Sequence, residues 1–545
     1  MAQASSSNTP IVHVPFSALA LVNSLLTRGY FPDRAIPPVN SLGIEPAIPK
    51  MISYATNLMQ KMLSKGKNKV KARSRCVSHS VSKRKHLRRT LSIPNPLHQC
   101  MLAIETANGW PDLRSFCEKS SLALSLPELG KGRAIAPRED LNRQPFYRAQ
   151  RSIGSRYLLK TDIARFYPSI YTHSIPWALH GKDAARRDTE YKLFGNRLDL
   201  WVRETQDKQT GGIPIGPDTS FVIGEVVASA IDLELKKRIP RLRGTRSIDD
   251  YFLYFDTLSE AESAIAELHA TTRELELELN DPKTEIIALP DNLEPAWKSD
   301  LRSLRIRPEA RPQSTDLMTL FDRAFLHARN FPSDSVLTYA AKQVLSTKIE
   351  AENWKFCEAL LLRAAIGEPT LLPVLADIYE ANADSHSDNS QLAGTLHSIC
   401  WYHAPLQQGH EVAWALWLAK KMAIEIPEII ADKVTAIDDD VVALVALDLR
   451  EDGLFRGTRF DVWERHMTAQ GLYDDHWLLA YEALEQGWLA SIGGTDYIAQ
   501  DEFFSILKSN DVKFYGTELS PTDNEFKYWD DEESAEIPES DDDDE

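Results

Sequence analysis

Three aspartates stand out by their spacing. Asp249 and Asp250 sit side by side in Ser247-Ile248-Asp249-Asp250-Tyr251-Phe252-Leu253-Tyr254, ahead of an apolar and aromatic run that reads as a strand. Asp162 closes a second run, Tyr157-Leu158-Leu159-Lys160-Thr161-Asp162, and Phe166 and Tyr167 follow it. Neighbouring side chains on extended backbone face opposite ways, so Asp249 and Asp250 share a pocket only if a tight turn presents them. Carboxylates gathered there repel one another unless a cation offsets the charge. One carboxylate from a first strand and one or two from a neighbouring hairpin is the set that nucleotidyl transfer needs. It holds two Mg²⁺ ions about 3.5–4 Å apart on the attacking and leaving oxygens of an in-line displacement. Mg²⁺ suits such a site because it takes few protein oxygens and keeps positions for water and substrate phosphates. A lone Asp-Asp pair is commonly a solvated turn, and the second stretch is what gives the first its meaning.

The elements that must position these acids are legible around them. Gly211-Gly212-Ile213-Pro214-Ile215-Gly216-Pro217-Asp218-Thr219-Ser220-Phe221 is a Gly/Pro loop opening a helix to about Arg238, with Asp218 or Thr219 as N-cap. Downstream, Leu277-Glu278-Leu279-Asn280-Asp281-Pro282-Lys283-Thr284 places Lys283 at the start of a short strand. Upstream, Gly130-Lys131-Gly132-Arg133-Ala134-Ile135-Ala136-Pro137-Arg138 reads as a basic strand. Guanidinium groups grip phosphate oxygens bidentately, and the alternative is an ordinary sheet edge with exposed basic residues.

The order strand-Asp, Gly-Pro loop, Ile-Asp-Asp hairpin and Lys-Thr strand resembles the palm of a reverse transcriptase. The stretches from Asp162 to Trp177 and from Gly212 to Ser220 resemble the bacterial defence-associated, abortive-infection reverse transcriptases, as does Leu26-Thr27-Arg28-Gly29-Tyr30-Phe31-Pro32. The resemblance covers about residues 20 to 290. It implies an α+β fold of right-hand fingers and palm, followed by an all-α, HEAT-like array. By resemblance Asp162, Asp249 and Asp250 are the catalytic metal ligands for two Mg²⁺ ions, with Ile163 among the metal-site residues. Lys283 lies near the pyrophosphate leaving group. Arg133 grips the incoming triphosphate with Lys131 and Arg138 behind it, Tyr167 excludes a 2′-hydroxyl, and Gly216 and Ser220 line the substrate site. Phe166, facing opposite to Tyr167, is expected in the core, and His173 and Trp177 are expected to brace the palm. Two positions depart from the family: Ser247 stands where an aromatic usually precedes the x-Asp-Asp, and Ile215 where many members carry glutamine. Both bear on template contacts.

The implied activity is an RNA-directed DNA polymerase, a nucleotidyltransferase joining dNTPs to a primer hydroxyl, in antiphage defence. Its partners would be an RNA template or noncoding RNA, the DNA product and further copies of itself. A retron-type enzyme, an untemplated or protein-primed polymerase, and an RNA-binding scaffold on a dead palm are the alternatives. Three mutually repelling acids argue against the scaffold.

Composition fits a soluble cytoplasmic protein with no membrane partner, and the resemblance implies a bacterial one. The chain has 545 residues, 43% apolar and 26% charged, which allows several domains and ample core. No apolar run reaches the roughly 18 residues that span a bilayer, and the first residues lack the order of a secretory signal. The five cysteines have no metal-ligand spacing and are expected to be reduced. The net charge of −17 hides an asymmetry: residues 1–150 carry 22 Lys and Arg against 8 Asp and Glu. Twelve of those basic residues fall within 61–90, with no acid among them. Lys67, Lys69, Lys71, Arg73, Arg75, Lys83, Arg84, Lys85, Arg88 and Arg89 are therefore candidates for binding nucleic-acid backbone, a solvated tether being the plainer reading.

The expected organisation is a disordered 1–13, N-terminal helices, basic segment and fingers over 14–155, and a palm over 156–290. An α-helical array follows over 291–517, with a disordered acidic tail over 518–545. Within the array, helical spacing recurs at Val336–Val344, at Trp354, Cys357, Leu361 and Ala364, at Val412, Leu416 and Ala419, and at Trp477, Leu478, Tyr481 and Leu484, without a strict period.

Overall fold

Two apolar strands that each end at an aspartate form the middle of a four-stranded antiparallel sheet. In the computed structural model, which describes residues 12–32, 38–65, 73–84, 87–382 and 388–516, β5 (Tyr157–Asp162) pairs with β7 (Asp250–Phe255). Outside them lie β6 (Arg243–Ser247) on β7 and β8 (Glu285–Ala288) on β5, giving the order β6-β7-β5-β8. Residues directly opposite in an antiparallel pair share a face. Tyr251, Leu253 and Phe255 point to the buried face, against the helices Asp218–Arg238 and Leu258–Glu274. Asp250 lies on the other.

Ahead of the sheet come the helices Phe16–Thr27, Ile48–Lys65 and Pro96–Asn108, the last capped by Asn95, whose side chain accepts from Leu97 N–H. Two small hairpins lie among them: β1 (Val77–Arg84) with β2 (Leu87–Ile93), and β3 (Pro127–Leu129) with β4 (Ile135–Pro137). After β8, helix follows helix with no further strand among the described residues. None of the described helices is long and apolar enough to cross a membrane. All five cysteines are free.

The helical half is not a separate bead. One buried core runs from Ala18 to Tyr515. The last described residues return to the first: Tyr515 bridges Val39, and Phe514 stacks on Phe31 at 5.6 Å. Trp477 Nε1–H donates to the Ile93 carbonyl at 3.0 Å.

Several sequence expectations are corrected here. The Asp218–Arg238 helix is capped by Pro217 without a side-chain bond, because the Asp218 carboxylate is turned away to serve another loop. The stretch 130–138 is strand only from Ile135. Residues 12 and 13 are anchored rather than loose, since Val12 N–H donates to Gln60 and the His13 carbonyl accepts from Asn108. The second half of the basic run is not a tether. It forms β1 and β2, which pack on the helical half through a buried His79–Asp439 pair at 2.9 Å and through Arg88 on the buried Glu411. Residues 1–11, Lys67, Lys69, Lys71, Lys85 and the acidic tail from 517 lie outside the described residues, and Lys83 and Arg84 are described in backbone only.

Candidate active site

The β5–β7 register places Asp162 directly opposite Asp250. Asp249 occupies the two-residue hairpin turn between β6 and β7, and its carbonyl accepts from Ile163 N–H at 3.2 Å. Like charges paired across strands destabilise a sheet. Here Lys283, in a short turn just before β8, puts its ammonium on Oδ2 of Asp162. Oδ1 of Asp162 is buried and takes no hydrogen bond from any described residue. A buried carboxylate oxygen without a partner, beside an ammonium on its twin, is a place where a cation is already being supplied. The three aspartates fit Mg²⁺, which takes oxygen ligands from one or two carboxylates.

The turn itself is strained. Ile248 holds φ at 55°, a region that β-branched residues avoid. What pins it lies underneath. Arg246, fully buried, donates from Nη1 to the Ile248 carbonyl at 2.9 Å and to Glu225 at 3.1 Å, and from Nε to Asp232 at 2.8 Å. Ser125 Oγ accepts from Ile248 N–H at 2.8 Å while donating to Glu225 at 2.9 Å. Tyr251 and Ser120 donate to Asp232. Burial opposes the charge on Arg246, but Asp232 and Glu225 outweigh it and hold its pKa above the ordinary value. The sequence assigned no role to Arg246, Glu225 or Asp232. The available signal was two acids seven residues apart on one face of an otherwise apolar helix.

Around this centre the aromatics divide. Phe166 is buried, whereas Tyr167 is half-buried with its ring against Gly224. Burial first, and then the charge of Asp249, raise the pKa of the Tyr167 hydroxyl. His173 Nδ1 meets Asp199 at 2.8 Å and Trp177 packs on Tyr171, both as braces. Gly216 has φ 141°, and a Cβ there would lie 2.6 Å from Pro32, so the loop closes tightly on the N-terminal segment. Ser92 N–H, from β2, donates to the carbonyl of Ile215 in the same loop.

Three substrate assignments are corrected by these contacts. Arg133 is occupied within the protein: Nε donates to Asp218 at 2.9 Å, Nη1 to the Phe31 carbonyl at 2.6 Å, and Nη2 to the Gly216 carbonyl at 3.1 Å. It pins the β3–β4 turn to the start of the Asp218–Arg238 helix, and Ile135 N–H donates to the other oxygen of Asp218. Arg138 pairs with Glu118 and Glu128. Ser220 is buried in the first turn of that helix and lines no open face. Lys131 is exposed. Near Asp250, the Arg148 guanidinium lies 4.1 Å from the ring of Phe252. Its pKa is lowered by burial, with Asp250 among the charges that oppose the fall.

No family model matches the chain, and no curated protein does. Among solved structures, the apo telomerase of Candida tropicalis is similar at 11% identity and a TM-score of 0.32, over 65% of this chain and 73% of that one. The telomerase of Candida albicans with a TWJ fragment of telomeric RNA is similar at 10% identity and 0.26, over 63% and 66%. At such values the chemistry of the site rests on its own geometry.

Proposed function

We propose that this chain is a DNA polymerase of reverse-transcriptase type, joining dNTPs to a primer hydroxyl, and that it acts in antiphage defence. The observation that carries the chemistry is the convergence of Asp162, Asp249 and Asp250 at one sheet end, with a buried unpartnered oxygen and an ammonium on Asp162. Asp162, Asp249 and Asp250 would hold Mg²⁺. Bound there, Mg²⁺ would supply the charge that activates a 3′-hydroxyl and neutralises the departing phosphate. Lys283, once released from Asp162, would meet the charge of the same leaving group. The half-buried ring of Tyr167 beside Asp249 fills volume that a ribose 2′-hydroxyl would need. Strain at Ile248, held from below by Arg246 and Ser125, fixes the direction of the turn before substrate arrives. The motif order supports the reverse-transcriptase reading, and the Asp162–Trp177 and Gly212–Ser220 stretches support the defence role.

The test is incubation of the purified chain with labelled dNTPs and Mg²⁺, with and without RNA, followed by sequencing of the product and of any copurifying nucleic acid. Incorporation that disappears in Asp249→Ala supports the reading, and DNA left covalently on the protein would select the protein-primed form. Incorporation unchanged in Asp249→Ala, or none under any condition, overturns it.

A further inference from the structure

A second group of ligating side chains lies far along the chain from the aspartates, in the helical half. Asp438, just before the Asp440–Glu451 helix, His466, after the Asp461–Glu464 turn, and His476, just before the Trp477–Glu485 helix, come together. Oδ1 of Asp438 lies 3.0 Å from Nε2 of His466 and 3.6 Å from Nε2 of His476, and all three atoms fall within 4.8 Å of one another. A tetrahedral zinc ion with bonds of about 2.0–2.1 Å has ligand-to-ligand edges of about 3.4 Å, which these separations bracket. Asp475 Oδ1, 3.9 Å from His476 Nε2, is near enough to be the fourth ligand.

What lies behind the histidines strengthens the case. His476 Nδ1 is 2.6 Å from Oδ1 of Asp440, whose side chain is fully buried and whose other oxygen accepts from Leu479 N–H at 2.9 Å. An acceptor on Nδ1 puts the hydrogen there and leaves Nε2 to face Asp438. Carboxylate, histidine and metal in that order is the support that zinc-binding histidines ordinarily have. Arg465 occupies Oδ2 of Asp438, while Oδ1 is turned to the two histidines and is hydrogen-bonded with Nε2 of His466. Its Nε–H also donates to His466 Nε2 at 3.2 Å, and this exposed side chain must withdraw for a metal to enter. The two imidazole rings are stacked at 3.7 Å and 24°, so they too must open slightly.

We propose that Asp438, His466 and His476, with Asp475 as fourth ligand, form a divalent-cation site of zinc class, distinct from the aspartate site on the sheet. Imidazole nitrogens select zinc and its neighbours, whereas Mg²⁺ prefers an all-oxygen set. The site ties three segments together at the seam where the helical half meets β1 and β2. Asp439, next to Asp438, holds His79 of β1, and Trp477, next to His476, donates to Ile93 of β2. Its role is that of a clasp between segments of the helical half, fixing the stretches that carry Asp439 and Trp477, the residues that hold this hairpin. It does not depend on what the sheet site catalyses.

The experiment uses the full chain, stripped with a chelator and titrated with Zn²⁺ against a chromophoric competitor. Bound zinc is counted by atomic emission, and melting is followed with and without the ion. We expect one equivalent of zinc, a raised Tm, no displacement by excess Mg²⁺, and the same stoichiometry in Asp162→Ala. His476 shields the buried Asp440, so its replacement risks the fold. Asp438→Asn and His466→Gln leave Asp440 paired and are the informative variants. Each should weaken zinc binding by no less than the roughly 10–100-fold that loss of an outer-shell partner costs. Arg465→Ala should bind at least as tightly as the parent. Absence of zinc binding, or parental affinity in His466→Gln, overturns the proposal and leaves the cluster an ion network.

Discussion

Lys283 holds one oxygen of Asp162 while the other oxygen of that carboxylate is buried without a hydrogen-bond partner. The ammonium thus stands where the charge of a metal would otherwise be needed. Replacing Lys283 by Ala leaves Asp162 facing Asp250 without the ammonium that offsets part of the repulsion. The expected result is a lower Tm in chelator and a larger rise in Tm on adding Mg²⁺ than the parent shows. Equal Mg²⁺-induced shifts in the two proteins would count against a cation site at Asp162.

Removing the acids should separate chemistry from folding. Asp249→Ala and Asp250→Ala together are expected to abolish dNTP incorporation, since the loss of charge stabilisation is several kcal/mol. The same variant should melt at or slightly above the parental temperature, because two like charges leave one sheet end. A labelled-nucleotide assay and a melting curve decide both halves.

The network under the turn makes a different prediction. Arg246 is fully buried between Glu225 and Asp232. Arg246→Met strands two buried carboxylates and is expected to cost about 3–5 kcal/mol. Adding Glu225→Gln to it should recover part of that loss, so a double-mutant cycle in urea should be strongly non-additive. Additive losses would mean that the two side chains do not act together.

How far the sequence reached follows from the same residues. The sheet was legible because β5 and β7 are short apolar runs ended by acids, and a period of two fixes their faces. The helical half was legible because apolar spacing of three and four repeats through Ala351–Gly367 and Gly409–Lys421. Partners distant in sequence were not. Arg133 looked like a phosphate ligand because nothing local says that Asp218, 85 positions on, takes its guanidinium. Arg88 looked free for the same reason, with Glu411 lying 323 positions away. Composition exposes a charge, and only the fold exposes its counter-charge.

Glu482 predicts a pH dependence. It is fully buried, and burial lifts its carboxyl from 4.5 to about 8, against hydrogen bonds that include those from Phe514 N–H and Gln486. A folded pKa above the unfolded one means that its contribution to stability is complete below about pH 4.5. That contribution falls away as pH rises toward 8 and is gone above it. Glu482→Gln keeps an acceptor for Phe514 and removes the titration. The variant should be more stable than the parent at pH 8.5, by roughly 2–4 kcal/mol, and no more stable at pH 5. Parallel urea midpoints across that range would refute the assignment.

Tyr167 should control sugar selection. Its ring lies against Gly224 and its hydroxyl feels the charge of Asp249. Tyr167→Ala is expected to admit ribonucleotides, and the ratio of rNTP to dNTP incorporation is the measurement. A loss of stability with the ratio unchanged would make the ring a packing residue.

Two adjacent arginines on β2 should behave oppositely. Arg88 donates to both oxygens of the buried Glu411 and to Ser80, so its charge is already neutralised inside the protein. Arg89, the next residue along the strand and so on its opposite face, is exposed, and its charge opposes the rise of the Tyr167 pKa. Arg88→Ala strands a buried carboxylate and should cost about 3 kcal/mol of stability with nucleic-acid affinity unchanged in the folded fraction. Arg89→Gln should leave Tm unchanged within the small range of exposed substitutions. If Arg89 neutralises a phosphate, the same change should weaken binding to all sequences alike and reduce the salt slope by about 0.7 for a single strand or 0.9 for duplex. Fluorescence anisotropy with a labelled oligonucleotide at several salt concentrations measures that slope. An unchanged slope in Arg89→Gln, with weakened binding in Arg88→Ala instead, would reverse the orientation assigned to this hairpin.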